Sequence, residues 1–112
     1  MKFGMKYEQG EIIVVLFPFS DLKGVRQRPV LILSKKIDSD DVITCGITSN
    51  LKNTKHSVLI NNEDLEKGNI PTQSRFKVDK LFTLDKKIIR KKIAKLNKIT
   101  LENVKKEFYK LV

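Results

Sequence analysis

The sequence predicts a mainly β protein that carries short helices and one C-terminal α-helix. Two apolar, β-branched runs, Ile12 to Phe17 and Val30 to Leu33, are typical of buried strands. Two later stretches, Asp41 to Asn50 and Gln73 to Lys86, begin with side chains of alternating polarity, which is the period of a strand. After Thr100, apolar residues recur at helical spacing and predict a helix with one apolar face.

The first two predicted strands are apolar on both faces, so both need cover on both sides. The second cover is either a partner subunit or the same chain curled into a tight barrel. Between the strands, Ser20 to Gln27 is too long for a tight turn and predicts a polar surface loop. Because proline has no N–H to donate to the hydrogen-bond ladder of a central strand, we expect Pro29 to be the first residue of its strand. Arg28 then lies at a strand entrance, where a fixed positive charge suits an anion.

The third predicted strand, from Asp41, orients its side chains by alternation. Ile43, Cys45 and Ile47 should face the core, with Thr44, Gly46 and Thr48 on the other side. Thr48 then ends the strand on the non-core face, next to Ser49. Neither a histidine nor a cation neighbours Cys45 in sequence, so we expect an inert core thiol.

The later segments predict short elements. Ser57 to Ile60 is a short strand, and Asn62 to Gly68 is one helical turn with an Asn cap and a Gly stop. Ile88 to Ile93 is a short helix or a turn before a last strand at Ala94 to Leu96. Thr100 caps the C-terminal helix, whose apolar face serves core or dimer packing and contains Leu101, Val104, Phe108 and Leu111.

Composition limits the possible functions of the chain. Its 112 residues predict one domain over Met1 to Val112. No apolar run is long enough to span a membrane and the N-terminus lacks a signal-peptide core, so we expect a cytoplasmic protein. The net charge is +10, and residues 77–112 hold 12 Lys and Arg against 4 Asp and Glu. This excess favours a polyanionic partner, either nucleic acid or an acidic protein. The alternative interpretation of any single lysine here is a solvated surface residue of a lysine-rich protein.

Common catalytic motifs are absent from the sequence. There is no phosphate-binding glycine loop, no zinc-protease histidine pair and no hydrolase nucleophile elbow. One cysteine and one histidine, His56, provide no metal-ligand cluster, and the acidic residues are scattered. We therefore expect no metal and no cofactor.

Three stretches resemble the MazF/PemK family of bacterial toxins. The first hairpin is similar in its Gly-acidic start, its Pro-Phe pair and its Arg-Pro pair before a Val/Ile/Leu strand, here Gly10, Glu11, Pro18, Phe19, Arg28 and Pro29. The segment Ile47 to Ser49 is similar to the one where the family has a functional Thr or Ser. Gln73 to Lys86 resembles the family in a Ser, a basic-x-Asp unit and the phrase Lys-Leu-Phe-Thr-Leu-Asp.

The resemblance implies an SH3-like small β-barrel, as in MazF, PemK and CcdB-like proteins, that forms a homodimer. It also implies a type II toxin–antitoxin endoribonuclease that cuts single-stranded mRNA at a specific sequence, without metal. The RNA 2′-hydroxyl is then the nucleophile and a cyclic phosphate is left. An antitoxin with an acidic, apolar tail is expected to occupy the RNA groove, and no membrane partner is expected.

The resemblance also assigns residues. Arg28 stabilises charge on the phosphate, Thr48 donates a hydrogen bond to a non-bridging oxygen, and Asp79 is a candidate base. The remaining RNA contacts are expected from Lys23, Arg26, Ser49, Gln73, Arg75 and Lys77. The family often has Arg where Lys77 stands, so the bidentate grip on phosphate is lost at that position.

Two other functions fit the same barrel: a non-catalytic binder of RNA or DNA, and a toxin that poisons gyrase. The phenylalanines lie mostly in apolar runs and there is no Trp, which argues against a base-stacking platform. For Asp79 the alternative interpretation is a structural salt bridge with Arg75 or Lys77. For Thr48 it is strand propensity without a further role.

Overall fold

The computed structural model of the protein describes residues 6–18, 25–35, 40–52 and 55–112. In this part of the chain seven strands and one α-helix follow one another: β1 (Glu11–Pro18), β2 (Val25–Ile32), β3 (Asp41–Thr48), β4 (Ser57–Ile60), β5 (Leu65–Gly68), β6 (Ser74–Asp85), β7 (Ile89–Leu96) and α1 (Lys98–Tyr109). Two short 3₁₀-helices, Asn62–Asp64 and Lys86–Ile88, precede β5 and β7.

The seven described strands form one antiparallel sheet in the order β4-β6-β3-β2-β1-β7-β5. Strands β4 and β5 are its edges, and the sheet curls into a half-barrel. This confirms the predicted fold class of a small, mainly β barrel with short helices and a C-terminal α-helix.

Each face of the sheet carries its own hydrophobic core. The first core contains Ile12, Leu31 and Phe76 and is closed by Val104 of the helix. The second core contains the residues of β1 and β2 that alternate with those of the first core, together with residues further along the chain. Its buried members are Ile13, Val15, Val30, Ile32, Val42, Leu84 and Ile89. Both faces of β1 and β2 are therefore buried within one chain, and their burial requires no partner subunit.

Pro29 lies inside β2, not at its first residue. The predicted loop is shorter than expected, because β2 begins at Val25 and Pro29 pairs with Val14 of β1. Leu33 donates its N–H to Ile43 of β3, so the alternation of the strand puts the nitrogen of Pro29 on the β3 side as well. The ladder with β3 covers only Val30–Ile32, so the missing N–H costs no hydrogen bond.

The predicted core face of β3 is correct at its end and wrong at its start. Cys45 is buried and Ile47 packs on the first core, but Ile43 is 43% exposed. At this end of β3 the second core covers the opposite face, so Val42 and Thr44 are the buried residues. The Thr44 hydroxyl is satisfied because it donates to the Phe82 carbonyl oxygen at 3.1 Å.

Two predicted turns are partly strand. In the segment predicted as one turn, the 3₁₀-helix ends at Asp64 and β5 follows. The residue before it, Asn61, donates its N–H to the Asp64 carboxylate at 2.9 Å. Ile89 to Ile93 belong to β7 because this segment pairs with β1, while β5 pairs with the later residues Ala94 to Leu96. Such pairing partners are distant in sequence, so local pattern could not identify them.

The C-terminal helix begins one turn earlier than Thr100 suggested. Asn97 is its cap, and its side-chain oxygen accepts the Thr100 N–H at 2.8 Å. Val104 is buried and Leu101 packs on the first core, so this part of the apolar stripe is core packing. In the described part of the chain, no helix is long and apolar enough to cross a membrane.

Cys45 is the inert core thiol that the sequence predicts. Its side chain is fully buried in the first core. Burial, and secondarily the negative charge of Asp79, raises the pKa of this thiol to about 12. Since the thiolate is the reactive species, the group is unreactive in the folded protein near neutral pH.

We predict that Gly68→Ala destabilises the fold by at least about 2 kcal/mol. Gly68 has a φ of +77°, and an added Cβ would overlap the Ile93 carbonyl oxygen and approach the Ala94 Cα to 2.8 Å. The free energy of unfolding in urea measures the effect. Gly46→Ala is the matched control, since its Cβ would meet only ordinary contacts at 3.8 Å. Equal stability of the two variants would contradict the close approach of β5 to β7.

We predict that a thiol reagent labels Cys45 at pH 8 only when the protein is unfolded. Above about pH 9 the unfolded thiol ionises, while the folded thiol keeps its proton up to about pH 12. The folded state then binds more protons, so its stability falls as the pH rises through this window. Cys45→Ala should show a shallower loss of unfolding free energy between pH 9 and 11. Rapid labelling of the folded protein would contradict the burial of this residue.

Candidate functional site

Strands β2 and β3 separate at one end, and this split brings polar side chains together. The β2–β3 ladder ends at the pair Val30 and Gly46, and Arg28 and Thr48, two residues further along their strands, both line the cleft that opens there. Thr48 in turn pairs with Arg75 of β6. Directly opposed residues of antiparallel strands share a face. Thr48 and Arg75 therefore share a face, and Arg28 lines the split together with Thr48.

The same face continues along β6. Lys77 pairs with Gly46, while Phe76 and Val78 on the other side are completely buried in the first core. This confirms the predicted alternation of this strand. The Lys80 side chain also lies over Gly46, with its Cβ 3.8 Å from where a Gly46 Cβ would stand. We call this surface, with Arg28, Thr48, Arg75, Lys77 and Lys80, the polar face.

The Thr48 hydroxyl is held by the turn that follows β3. The Asn50 backbone N–H donates to Thr48 Oγ1 at 3.1 Å, and the Lys52 N–H donates to the Asn50 side chain at 3.1 Å. The first bond occupies a lone pair of the hydroxyl and leaves its hydrogen able to donate elsewhere. Thr48 can therefore offer an oriented O–H to an anion.

Arg75 fixes this turn to the sheet. Its Nε donates to the Leu51 carbonyl oxygen at 3.0 Å, and its Nη1 donates to the Ser57 hydroxyl at 3.2 Å. A guanidinium has five N–H donors, so three remain available for a ligand. Arg75 thus positions the segment that carries Thr48 and Ser49 and also supplies charge to the polar face.

Part of the positive charge of the C-terminal third is neutralised by glutamates. Lys92 pairs with Glu11 at 3.2 Å and Lys95 pairs with Glu8 at 2.7 Å. The latter contact raises the pKa of Lys95 and lowers the pKa of Glu8. Within the described ranges, the lysines of the polar face form no ion pair of this kind, so their charge is available to a ligand.

A cleft of about 310 Å³ opens where β2 and β3 separate. Four isoleucines line it, and all belong to the first core or pack against it. We call them the isoleucine floor: Ile12, Ile47, Ile70 and Ile93. Polar residues and prolines form the rim of the cleft, namely Arg28, Pro29, Thr48, Ser49, Pro71, Thr72 and Ser74. A small ligand with one apolar and one polar or anionic part fits such a lining.

The structure brings together most of the residues that the sequence singled out. Arg28, Thr48 and Ser49 line the cleft, and Arg75 and Lys77 lie beside it on the polar face. Gln73 is half-buried and directly precedes β6. Lys23 and the side chain of Arg26 lie outside the described part of the chain.

Asp79 is separated from this group. Lys77 pairs with Gly46 and Leu81 with Cys45, so the three residues between them form a bulge in β6. Thr48 pairs with Arg75, whereas Asp79 lies in this bulge, opposite Gly46 and Cys45. Among the described residues no ion pair joins Asp79 to Arg75 or Lys77, so the alternative salt-bridge interpretation is wrong there.

One side of the cleft was missed by sequence reasoning. The segment between β5 and β6 contributes Ile70, Pro71 and Thr72, and the start of β6 contributes Ser74. The available signal was a Gly- and Pro-flanked connection that carries hydroxyl residues, which is typical of a surface loop. Among the described residues, no three His, Cys, Asp or Glu side chains lie close enough to hold a metal ion.

Comparison with solved structures shows the same fold. An endoribonuclease from Mycobacterial species is 17% identical with a TM-score of 0.74, over 97% of this chain and 93% of that one. An endoribonuclease in complex with its cognate antitoxin, also from Mycobacterial species, is 18% identical with a TM-score of 0.72, over 93% and 92%. A chain of a MazE–MazF crystal structure from Deinococcus radiodurans is 20% identical with a TM-score of 0.73, over 94% of each chain.

A comparison with curated proteins gives no match. A family model, in contrast, covers almost the whole sequence. It describes a PemK-like, MazF-like toxin of type II toxin-antitoxin systems and matches residues 8–112. The resemblance found in three separate stretches of sequence is thereby confirmed, and the chain belongs to the PemK-like, MazF-like family of type II toxin–antitoxin toxins.

Proposed function

We propose that this toxin is an endoribonuclease that cuts single-stranded mRNA at a short sequence without a metal ion. The observation that carries the proposal is the juxtaposition of Arg28 and Thr48, which are 20 residues apart in sequence but line the same cleft at the split. Family membership and the names of the structural neighbours, which include endoribonucleases, support the same activity.

The reaction uses the nucleophile that RNA itself carries. The 2′-hydroxyl oxygen forms a bond to phosphorus, the bond from phosphorus to the 5′-oxygen breaks, and a proton moves from the first oxygen to the second. The products are a 2′,3′-cyclic phosphate and a 5′-hydroxyl. The phosphate gains charge in the transition state, and the Arg28 guanidinium is a permanently charged donor that stabilises it there.

Thr48 assists at the same phosphate. Because Asn50 already occupies a lone pair of its hydroxyl, Thr48 presents its hydrogen to a non-bridging oxygen. Ser49, Gln73, Arg75 and Lys77 would contact the RNA on either side, with Lys23 and Arg26 predicted to join them. Contacts of cations to phosphates make binding weaker as salt rises.

We propose only Arg28 and Thr48 as groups that contact the reacting phosphate. Asp79, the base predicted from the family resemblance, lies in the β6 bulge opposite Gly46 and Cys45 rather than opposite Thr48. Asp79→Asn should therefore cleave RNA within about threefold of the wild-type rate. A large loss of cleavage rate together with a changed pH profile would show that Asp79 is the base.

The proposed partners are a cognate antitoxin and a second copy of the chain. Two of the structural neighbours are named as complexes, one with a cognate antitoxin and one with MazE. The positive polar face suits an acidic antitoxin segment as well as RNA. The homodimer rests on the family resemblance, since β1 and β2 are buried on both faces within one chain. The mRNA substrate makes the cytoplasm the proposed place of action.

We predict that the purified protein cleaves a long single-stranded RNA in EDTA at a short recurring sequence. Arg28→Ala should lower the rate at least about 100-fold, because a charged transition-state donor is lost. Arg28→Lys should recover little of it, since a lysine lacks the planar fork. Thr48→Val, which keeps the shape and removes the hydroxyl, should cost about tenfold or more. Mapped 5′ ends and rates measure both effects.

Lys106→Ala is the matched control for the loss of one positive charge. It lies exposed on the helix α1 and should keep the rate within about twofold. If the protein retains the RNA but leaves it intact, the proposed function is wrong and the protein is a non-catalytic binding module. Full activity of Arg28→Ala would show that the reacting phosphate does not bind at the split between β2 and β3.

A further inference from the structure

We infer that a lysine-lined pocket beside β5 and β7 binds backbone phosphates of the RNA outside the sequence that is cut. The inference rests on the proposed function and adds to it a second contact surface for the same substrate. The pocket has a volume of about 380 Å³. We call it the lysine pocket, and its charged lining consists of Lys6, Glu8, Glu11, Lys67, Lys92 and Lys95. None of these residues lines the cleft between β2 and β3.

Three charged residues of the lysine pocket lie in one row across the sheet. Glu11 of β1 pairs with Lys95 of β7, and Lys95 pairs with Lys67 of the edge strand β5. Directly opposed residues of antiparallel strands share a face. Glu11 also alternates with Ile13, which is buried in the second core. The row therefore lies on the face of the sheet that carries the second core.

The polar face lies on the same side of the sheet. Lys77 pairs with Gly46, which pairs with Val30 of the second core. The two basic surfaces are therefore separate parts of one face, with the second core between them. Lys87 and Arg90 are exposed beside the residues of the β6–β7 connection that pack on this core. Positive charge thus also lies between the two surfaces, where an RNA strand would pass.

Carboxylates orient two lysines of the pocket. Glu11 is only 7% exposed, and its carboxylate accepts the Glu8 N–H at 2.6 Å and pairs with Lys92 at 3.2 Å. Lys95 pairs with Glu8 at 2.7 Å and lies 4.0 Å from Glu66. An ammonium group has three N–H donors, so each paired lysine retains donors for a further anion. The ion pairs therefore hold both ammonium groups at the pocket without using all their donors.

Lys6 and Lys67 supply positive charge that no glutamate pairs with. Both are exposed, and within the described ranges neither forms an ion pair. The positive charge of the pocket acts on its own carboxylates: the pKa of Glu8 is lowered, first by its hydrogen bond with Lys95 and further by charges that include Lys67. With four lysines against two glutamates in its lining, the pocket suits an anionic ligand.

The lining favours a nucleic-acid backbone over the acidic, apolar tail of an antitoxin. Among the described residues that line the pocket, only Ile93 and Ala94 have apolar side chains. A peptide would therefore bury little apolar surface there. A phosphate needs only positive charge, and the lysine ammonium is a point charge that binds it without a fixed geometry. Because phosphate contacts carry no sequence information, the pocket raises the affinity for RNA of any flanking sequence.

The test compares RNA binding by the double variant Lys6→Ala/Lys67→Ala with that by the wild type. The probes are fluorescent 2′-O-methyl RNAs, which resist cleavage: a hexamer of the mapped cleavage sequence, and a strand of about 24 nucleotides with that hexamer at its centre. Oligouridines of both lengths replace them if no cleavage occurs. The double variant should bind the long strand about fivefold to tenfold more weakly and the hexamer within about twofold.

The salt dependence of binding counts the lost contacts. Each phosphate contact to a single strand contributes about 0.7 to the slope of log affinity against log salt concentration. The slope for the long strand should therefore become shallower by about 1.4 in the double variant. In the cleavage assay the KM for a long RNA should rise by a similar factor while kcat stays the same, because the pocket does not touch the reacting phosphate.

Lys98→Ala/Lys106→Ala is the matched control. It also removes two exposed lysines, which lie on α1, outside the pocket, and form no ion pair in the described part of the chain. The control should leave the affinity and the salt slope unchanged. Equal weakening in both double variants would show that net charge alone drives binding, and would overturn the inference. Neither pocket substitution breaks an ion pair, so both variants should fold.

Failure of this inference is distinguishable from failure of the proposed function. If RNA is cleaved but the pocket variant binds the long strand as tightly as the wild type, the phosphate site is overturned and the ribonuclease stands. If no RNA is cleaved but the pocket variant loses affinity only for the long strand, the ribonuclease fails and the phosphate site stands. If RNA binding is unchanged while a peptide of alternating Glu and Leu binds the variant more weakly, the pocket serves an acidic protein and the inference is overturned.

Discussion

The missing N–H of Pro29 is the constraint on which the candidate site depends. The nitrogen of Pro29 is on the side of β2 that faces β3, where it would have to donate to continue the ladder beyond Val30 and Gly46. Because it cannot, the two strands separate and expose an edge of the first core between two polar strand ends. The site forms at the point where a backbone ladder stops, with Arg28 on one side and Thr48 on the other.

The rest of the fold stabilises the strands on both sides of this split and holds them in place. β1 and β2 carry buried side chains on both faces, and each fully buried isoleucine or valine contributes about 1.5–3 kcal/mol of burial free energy. The bulge in β6 lets one strand serve both cores, with Phe76 before it in the first and Leu84 after it in the second. Arg28 and Arg75 thus project from strands that are held independently of the loops.

Elements with a strong local pattern were predictable. The strands β1, β3, β4 and β6, the apolar face of the helix and the inert Cys45 all follow from residues close in sequence. The errors occurred where a distant partner decides the outcome. Ile43 is exposed because the second core covers the other face of β3, and Ile89 to Ile93 are strand because this segment pairs with β1. No residue near these segments carries that information.

The sequence by itself determined the class of fold, the positive charge, the family and the identity of the polar residues that could contact RNA. Only the tertiary structure decided which of them meet. Register across β3 and β6 sets Thr48 opposite Arg75, the split brings Arg28 to the same cleft as Thr48, and Asp79 lies in the β6 bulge. The isoleucine floor likewise combines residues from four separate segments. The physical reason is that strand register is set by long-range packing of both cores, which local side-chain patterns do not encode.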